Sequence, residues 1–231
     1  MAQARLGFRA RGVVIAAFAV AMAYVEAAVV VYLRRALSIY PPGLFPLREP
    51  ASLGGFGPIE IGREAATLVM LCAVGWLAGR TGRERLAWGL VAFGIWDMSY
   101  YGWLWIFSGW PPSLGAWDLL FLIPVPWVGP VWAPLVVSAA LVGFGLAAAR
   151  RLDAGRPIPI SRLQRAAALA GGLLVVLSLT ADGGQVLAGG RPTSFPWPLF
   201  VAGMALAIAA AATAFRATDR ADEEGRPMAS G

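Results

Sequence analysis

A carboxylate placed in hydrocarbon costs roughly 2.5–3.5 kcal/mol on insertion scales, so an acid inside a long apolar run needs a partner or a task. The chain holds three such acids, Glu26, Glu64 and Asp97. Helical spacing gives two of them company. Glu60, Arg63, Glu64 and Thr67 follow i, i+3, i+4, i+7 and form one stripe. Asp97, Tyr100, Tyr101 and Leu104 form another, which predicts both tyrosines beside Asp97. Turned inward, Glu26, Glu64 and Asp97 converge with Arg63 as their cation. One acid then stays ionised against Arg63. The other two hold protons or share a bound cation, and they titrate as a group. The chemistry this suggests is binding or transport of a proton, a cation or a small cationic solute.

Other acids have plainer readings. Glu60 follows Gly57-Pro58, a helix start, where an acid suits the positive helix end. Asp118 after Trp117 reads as an N-cap, and Asp182 before Gly183-Gly184 as a helix end. We keep Glu60 and Asp118 as secondary candidates. Glu64 also has a structural reading, as a partner of Arg63.

Residues that are missing exclude several chemistries. The chain has no His, so haem, His-ligated metal and His acid–base catalysis are excluded. It has no Lys, which excludes retinal on a Schiff base, and its one Cys, Cys72, cannot pair within the chain. No cofactor is expected. A metal would need an all-carboxylate site of hard oxygen ligands.

These acids must be positioned by membrane helices. Of 231 residues, 58% are hydrophobic and 14% charged, against about 25% charged in soluble domains. A membrane helix needs about 20 apolar residues. Six segments meet that: Val13–Leu33, Ile59–Ala78, Leu86–Phe107, Val128–Ala149, Leu163–Ala181 and Pro198–Phe215. The first begins with Arg5, Arg9 and Arg11, and Ala21-x-Ala23 imitates a cleavage site. Its apolar run continues to Leu33, longer than a signal core, so we read it as a retained helix. Rise per residue puts Glu26 roughly 10 Å, Glu64 roughly 8 Å and Asp97 roughly 15 Å below the outer helix ends. The expected fold is therefore all-α, a polytopic bundle of six transmembrane helices over residues 1–215. A disordered polar tail over residues 216–231 would follow.

The charge pattern orients the bundle. Fourteen arginines fall on one side of this topology: 5, 9, 11, 80, 83, 85, 150, 151, 156, 162, 165, 216, 220 and 226. Five fall on the other: Arg34, Arg35, Arg48, Arg63 and Arg191. The positive-inside rule then puts both termini in the cytoplasm. The net charge of +6 fits membrane lipid rather than nucleic acid, because the arginines sit at helix ends. High Arg and Ala without Lys suggests a GC-rich bacterial genome and the bacterial inner membrane.

Two segments interrupt the helical pattern. Trp117–Pro134 reads WDLLFLIPVPWVGPVWAP, apolar but with four prolines. Proline breaks helical hydrogen bonding, so we expect a short half-helix or re-entrant piece over Asp118–Ile123, a break, then the fourth helix. Broken helices often mark binding sites, although an interfacial loop held by Trp117 and Trp127 explains the stretch equally well. The loop Arg34–Pro58, with Gly54-Gly55-Phe56-Gly57, is long enough for a lid. Small residues Gly203, Ala207 and Ala211 in the last helix, and Ala167 and Gly171 in the fifth, allow close helix contact, which we read as internal packing rather than a dimer seam.

The Trp117–Pro134 stretch, with Trp96-Asp97 upstream, resembles a family of bacterial polytopic membrane proteins. The resemblance covers mainly Gly94–Ser138 and implies no activity. Membrane hydrolases of the alkaline ceramidase and adiponectin receptor type also place acids in a helical bundle, but they need metal-binding His. Two other functions remain open: an enzyme acting on a membrane lipid with Asp97 or Glu64 as acid–base, and a non-catalytic assembly subunit.

Overall fold

Leu86–Phe107 is the least uniformly apolar of the six segments, and it lies at the centre of the fold. In the computed structural model the described residues are 7–37, Phe45 and 56–224, with side chains described to residue 217. The elements run α1 (Phe8–Ala36), α2 (Phe56–Ala78), α3 (Gly82–Ser108), β1 (Trp117–Phe121), β2 (Trp127–Pro130), α4 (Trp132–Asp153), α5 (Arg162–Thr180), α6 (Gly183–Leu187) and α7 (Trp197–Glu224). Among the described residues five stretches, built on α1, α2, α4, α5 with α6, and α7, are long and apolar enough to cross a membrane. The chain is thus a helical, multi-pass membrane protein.

α3 packs against α1, α2 and α4. Its buried residues point in nearly every direction, from Glu84, Ala87, Trp88 and Val91 to Asp97, Tyr101 and Leu104. Neighbouring helices cover it, so it tolerates Asp, Tyr and Gly that a lipid-facing helix could not. α1 presents one stripe to it: Ile15, Ala19, Met22, Ala23, Glu26 and Val31. α2 does the same with Glu64, Thr67, Leu71 and Gly75, while Val69 and Leu77 stay exposed. Gly75 is required there, because a Cβ would lie 2.6 Å from the Gly89 Cα of α3.

The ends of α3 are set by its sequence. Thr81 caps the start by accepting the Glu84 N–H at 3.2 Å. Gly109 closes the other end at φ 67°, donating its N–H to Trp105 O at 2.8 Å.

The expected half-helix over Asp118–Ile123 is not formed. Trp117–Phe121 and Trp127–Pro130 pair as an antiparallel hairpin, with Asp118 opposite Gly129 and Leu119 opposite Val128. The fourth helix accordingly begins at Trp132 rather than Val128. The prolines explain this. Pro124 and Pro126 fall in the turn and Pro130 ends β2, so none removes a helical hydrogen bond. The hairpin folds back along α3. Asp118 meets Tyr101, and the Phe121 ring stacks 6.5 Å from Phe93. Phe93 lies roughly 22 Å below Ser108 by helical rise, so the segment re-enters the bundle as strand rather than helix.

α5 and α7 pair closely. A Cβ on Gly171 would lie 2.7 Å from Ala207 N and Gly203 O, so the small residues serve packing inside the chain. Val175, Leu179, Phe195 and Phe200 join this pair to Ala133 and to Trp117 and Trp127 of the hairpin. α7 runs to Glu224, nine residues beyond the expected end at Phe215. Ala217, Arg220, Ala221, Glu223 and Glu224 are good helix formers, so the first part of the expected tail is helical. Residues 225–231 and most of the candidate lid, residues 38–44 and 46–55, lie outside the described residues.

A lattice of ion pairs closes the arginine-rich end. Arg11 pairs with Glu84 at 3.5 Å and with Asp153. Arg80 reaches Glu84 at 3.1 Å and Asp153 at 2.6 Å. It ties α1, the α2–α3 turn, α3 and α4 together.

Candidate functional site

The apolar stripe of α1 carries Glu26 into the bundle, where it is 5% exposed. Arg63 on α2 forms an ion pair with it, and the Thr67 hydroxyl donates to it. Arg63 also binds Glu60 in fork fashion, with Nε donating to Oε2 at 3.0 Å and a second nitrogen donating to Oε1. A guanidinium suits this position because its donors are held in a fixed plane. Glu60, read from sequence as an acid suiting a helix end, is a working partner of Arg63.

Glu64, one residue on, stays within electrostatic reach of Arg63 and Glu60 but takes its hydrogen bond from another element. Its carboxylate accepts the backbone N–H of Leu122 at 2.8 Å. The tip of the hairpin leaves the ladder at this point, and Glu64 satisfies the donor. An unsatisfied amide in a dry bundle would be costly.

Asp97 is 7% exposed and accepts the Ser138 hydroxyl of α4 at 2.7 Å. The helices come close enough because Gly94 faces Ser138, where a Cβ would lie 2.6 Å from the backbone oxygen. Tyr101 does not serve Asp97 as expected: its hydroxyl donates to Asp118 at 3.0 Å. Asp118, expected as an N-cap, is 2% exposed within β1 and also faces Arg34 of α1 at 3.5 Å. The Arg34 guanidinium lies 4.2 Å from the Trp110 ring centre. Tyr100 sits against Trp96 and Tyr101, within electrostatic reach of both Arg34 and Arg63. Asp182 precedes α6 and accepts the Thr193 N–H at 2.9 Å, a structural role.

The three acids read from sequence are therefore all buried, and none faces lipid. Their nearest partners differ. Glu26 belongs to Arg63, Glu64 to the hairpin tip and Asp97 to Ser138. Among the described residues no three Asp, Glu or Cys side chains come together in a way that could hold a metal ion, so the all-carboxylate cation site is not assembled. Arg63 is also not the only cation, because Arg34 enters the same layer. Sequence reasoning missed Arg34, which reads as an ordinary helix-end charge, and Ser138, a single hydroxyl in an apolar run.

The result is a polar layer under the hairpin, spread over α1, α2, α3, α4 and β1. Among the described residues it holds five carboxylates, Glu26, Glu60, Glu64, Asp97 and Asp118, and two guanidiniums, Arg34 and Arg63. Two donors near the hairpin, the indole N–H groups of Trp96 and Trp127, are buried without a hydrogen-bond partner among the described residues. Comparison with protein families, curated proteins and solved structures finds no match to this chain, so its reading rests on the geometry alone.

Proposed function

We propose that the chain is a six-span protein of the bacterial inner membrane that binds, and in transport passes on, a proton or small cationic solute in this polar layer. The observation that carries the proposal is the charge imbalance. Among the described residues five carboxylates face two guanidiniums where water is scarce. Three negative charges in excess are not tolerated there, so protons or a bound cation must offset them. Because no three carboxylates among the described residues are placed to hold a metal ion, a proton or an organic cation suits the layer better than a metal ion.

The sixth span in this reading is α3. Its 27 residues give roughly 40 Å of helix, and its cover of neighbouring helices offsets its lower apolar content. Both termini lie in the cytoplasm, as the arginines at the ends of α1, α3, α4 and α5 imply.

Asp97 provides the test, because its hydrogen-bond partner is a neutral hydroxyl. Asp97→Asn imitates the protonated acid. Purified and placed in vesicles, it should keep its fold but lose pH-dependent proton or cation uptake. An Asp97→Asn protein with unchanged uptake would sink the proposal. A second reading is supported by the same contacts. Every acid of the layer has a partner within the chain, so the layer also suits an assembly subunit whose polar residues set helix register.

A further inference from the structure

The far end of the bundle carries a surface that the polar layer does not use. At the α2–α3 corner the Arg85 guanidinium lies 3.8 Å from the ring centre of Trp76. Its Nε donates to Gly79 O at 3.4 Å. Trp76 is 62% exposed, and beside it Leu77 is 83% and Leu86 64% exposed. Arg83, two residues before Arg85 and flanking Leu86 on its other side, donates to Ile158 O at 3.2 Å, which brings the α4–α5 loop against the corner. Among the described residues neither Arg83 nor Arg85 has an acidic partner, whereas Arg80 is engaged by Glu84 and Asp153.

Two surfaces thus adjoin: a cationic ledge of Arg83 and Arg85, and an apolar wall of Trp76, Leu77 and Leu86. A soluble anion would use only the ledge and a neutral lipid only the wall. An amphiphile with an anionic phosphate head and acyl tails uses both. Trp76 occupies the boundary, where an indole with one apolar and one polar side is favoured. Its stacked guanidinium is held flat, with its remaining donors in the fork geometry that matches phosphate oxygens.

We propose that this corner is a binding site for an anionic phospholipid, with Arg83 and Arg85 on the phosphate and Trp76, Leu77 and Leu86 along the tails. The site lies at the opposite end of α3 from the polar layer and does not depend on the function proposed for that layer.

The test uses the full chain purified in detergent, with native mass spectrometry reading retained lipid. Phosphatidylglycerol should be retained in preference to phosphatidylcholine. Arg83→Gln with Arg85→Gln should weaken retention by about fivefold per arginine removed. Arg162→Gln with Arg165→Gln, the same charge change on α5, should leave it nearly unchanged. Equal retention of the two lipids overturns the site, and so does equal loss in the α5 control. If the corner variant does not fold, the wild-type protein decides. About 0.5 M salt should release phosphatidylglycerol by screening, and glycerol phosphate without tails should fail to displace it. Retention unchanged by salt, or displacement by the tail-less head, overturns the proposal.

Discussion

Glu64 of α2 accepts the backbone N–H of Leu122 at 2.8 Å, so one intramembrane carboxylate caps the tip of a hairpin 58 residues further along the chain. The acid completes a backbone that two prolines keep from being helical. Glu64→Ala should destabilise the protein by about 1–3 kcal/mol, the cost of a buried unsatisfied donor. Glu64→Gln should recover part of this, since its carbonyl still accepts. Thermal unfolding in detergent reads both. An alanine variant as stable as wild type would show that the contact holds nothing.

Arg63 is the shared partner of Glu26 and Glu60. Arg63→Met leaves Glu26 buried beside a single hydroxyl, and breaking such a pair costs about 3–5 kcal/mol. Adding Glu26→Gln removes the stranded charge while Thr67 keeps an acceptor. The double variant should therefore be more stable than the single one. A double variant that is no better would place the loss in side-chain packing rather than in charge.

Adjacent glycines of α5 should respond in opposite directions. At Gly171 a Cβ would meet Ala207 N and Gly203 O at 2.7 Å, so Gly171→Ala should force α5 and α7 apart and cost about 1–3 kcal/mol. At Gly172 nothing lies within 4 Å, so Gly172→Ala should be neutral or stabilise by up to about 1 kcal/mol. Unfolding of the two variants side by side checks the face assignment, and reversed signs would mean that the helix is rotated.

At the arginine-rich end the Glu84 carboxyl is held below its ordinary value of 4.5. Burial pushes it up, but the Arg80 backbone N–H, the Arg80 guanidinium and Arg11 together outweigh burial. A lowered folded value means that the stabilisation is fully present above pH 4.5 and lost as the pH falls through that lowered value. Wild-type stability should therefore fall on acidification below pH 4.5, and Glu84→Gln should flatten that fall. Parallel pH profiles for the two proteins would remove Glu84 from the lattice's acid response.

Topology is open to direct measurement. Reporter fusions after Arg85 and Arg165 should read cytoplasmic, and fusions within 108–116 and 183–191 external. An external Arg156 would overturn the six-span arrangement.

The helices were legible because lipid imposes one simple demand, about 20 apolar residues with every backbone group paired within the helix. The ends followed from local chemistry, as with Thr81 and Gly109 around α3. That Glu26, Glu64 and Asp97 are buried was also legible, since exposing an acid to lipid costs too much. Which partner each acid takes was not. Periodicity puts residues on a face but says nothing of what the next helix presents. Ser138 beside Asp97 and Arg34 beside Asp118 depend on how α4 and α1 are set against α3 and the hairpin. The hairpin was hidden for a related reason. The prolines announced a break in the helix, but only the walls around it, Phe93, Trp96, Tyr101 and Glu64, turn an apolar broken stretch into two paired strands. Strand pairing inside a bundle is stable only when its edges and tip are satisfied by neighbours, and those neighbours are supplied by the tertiary structure.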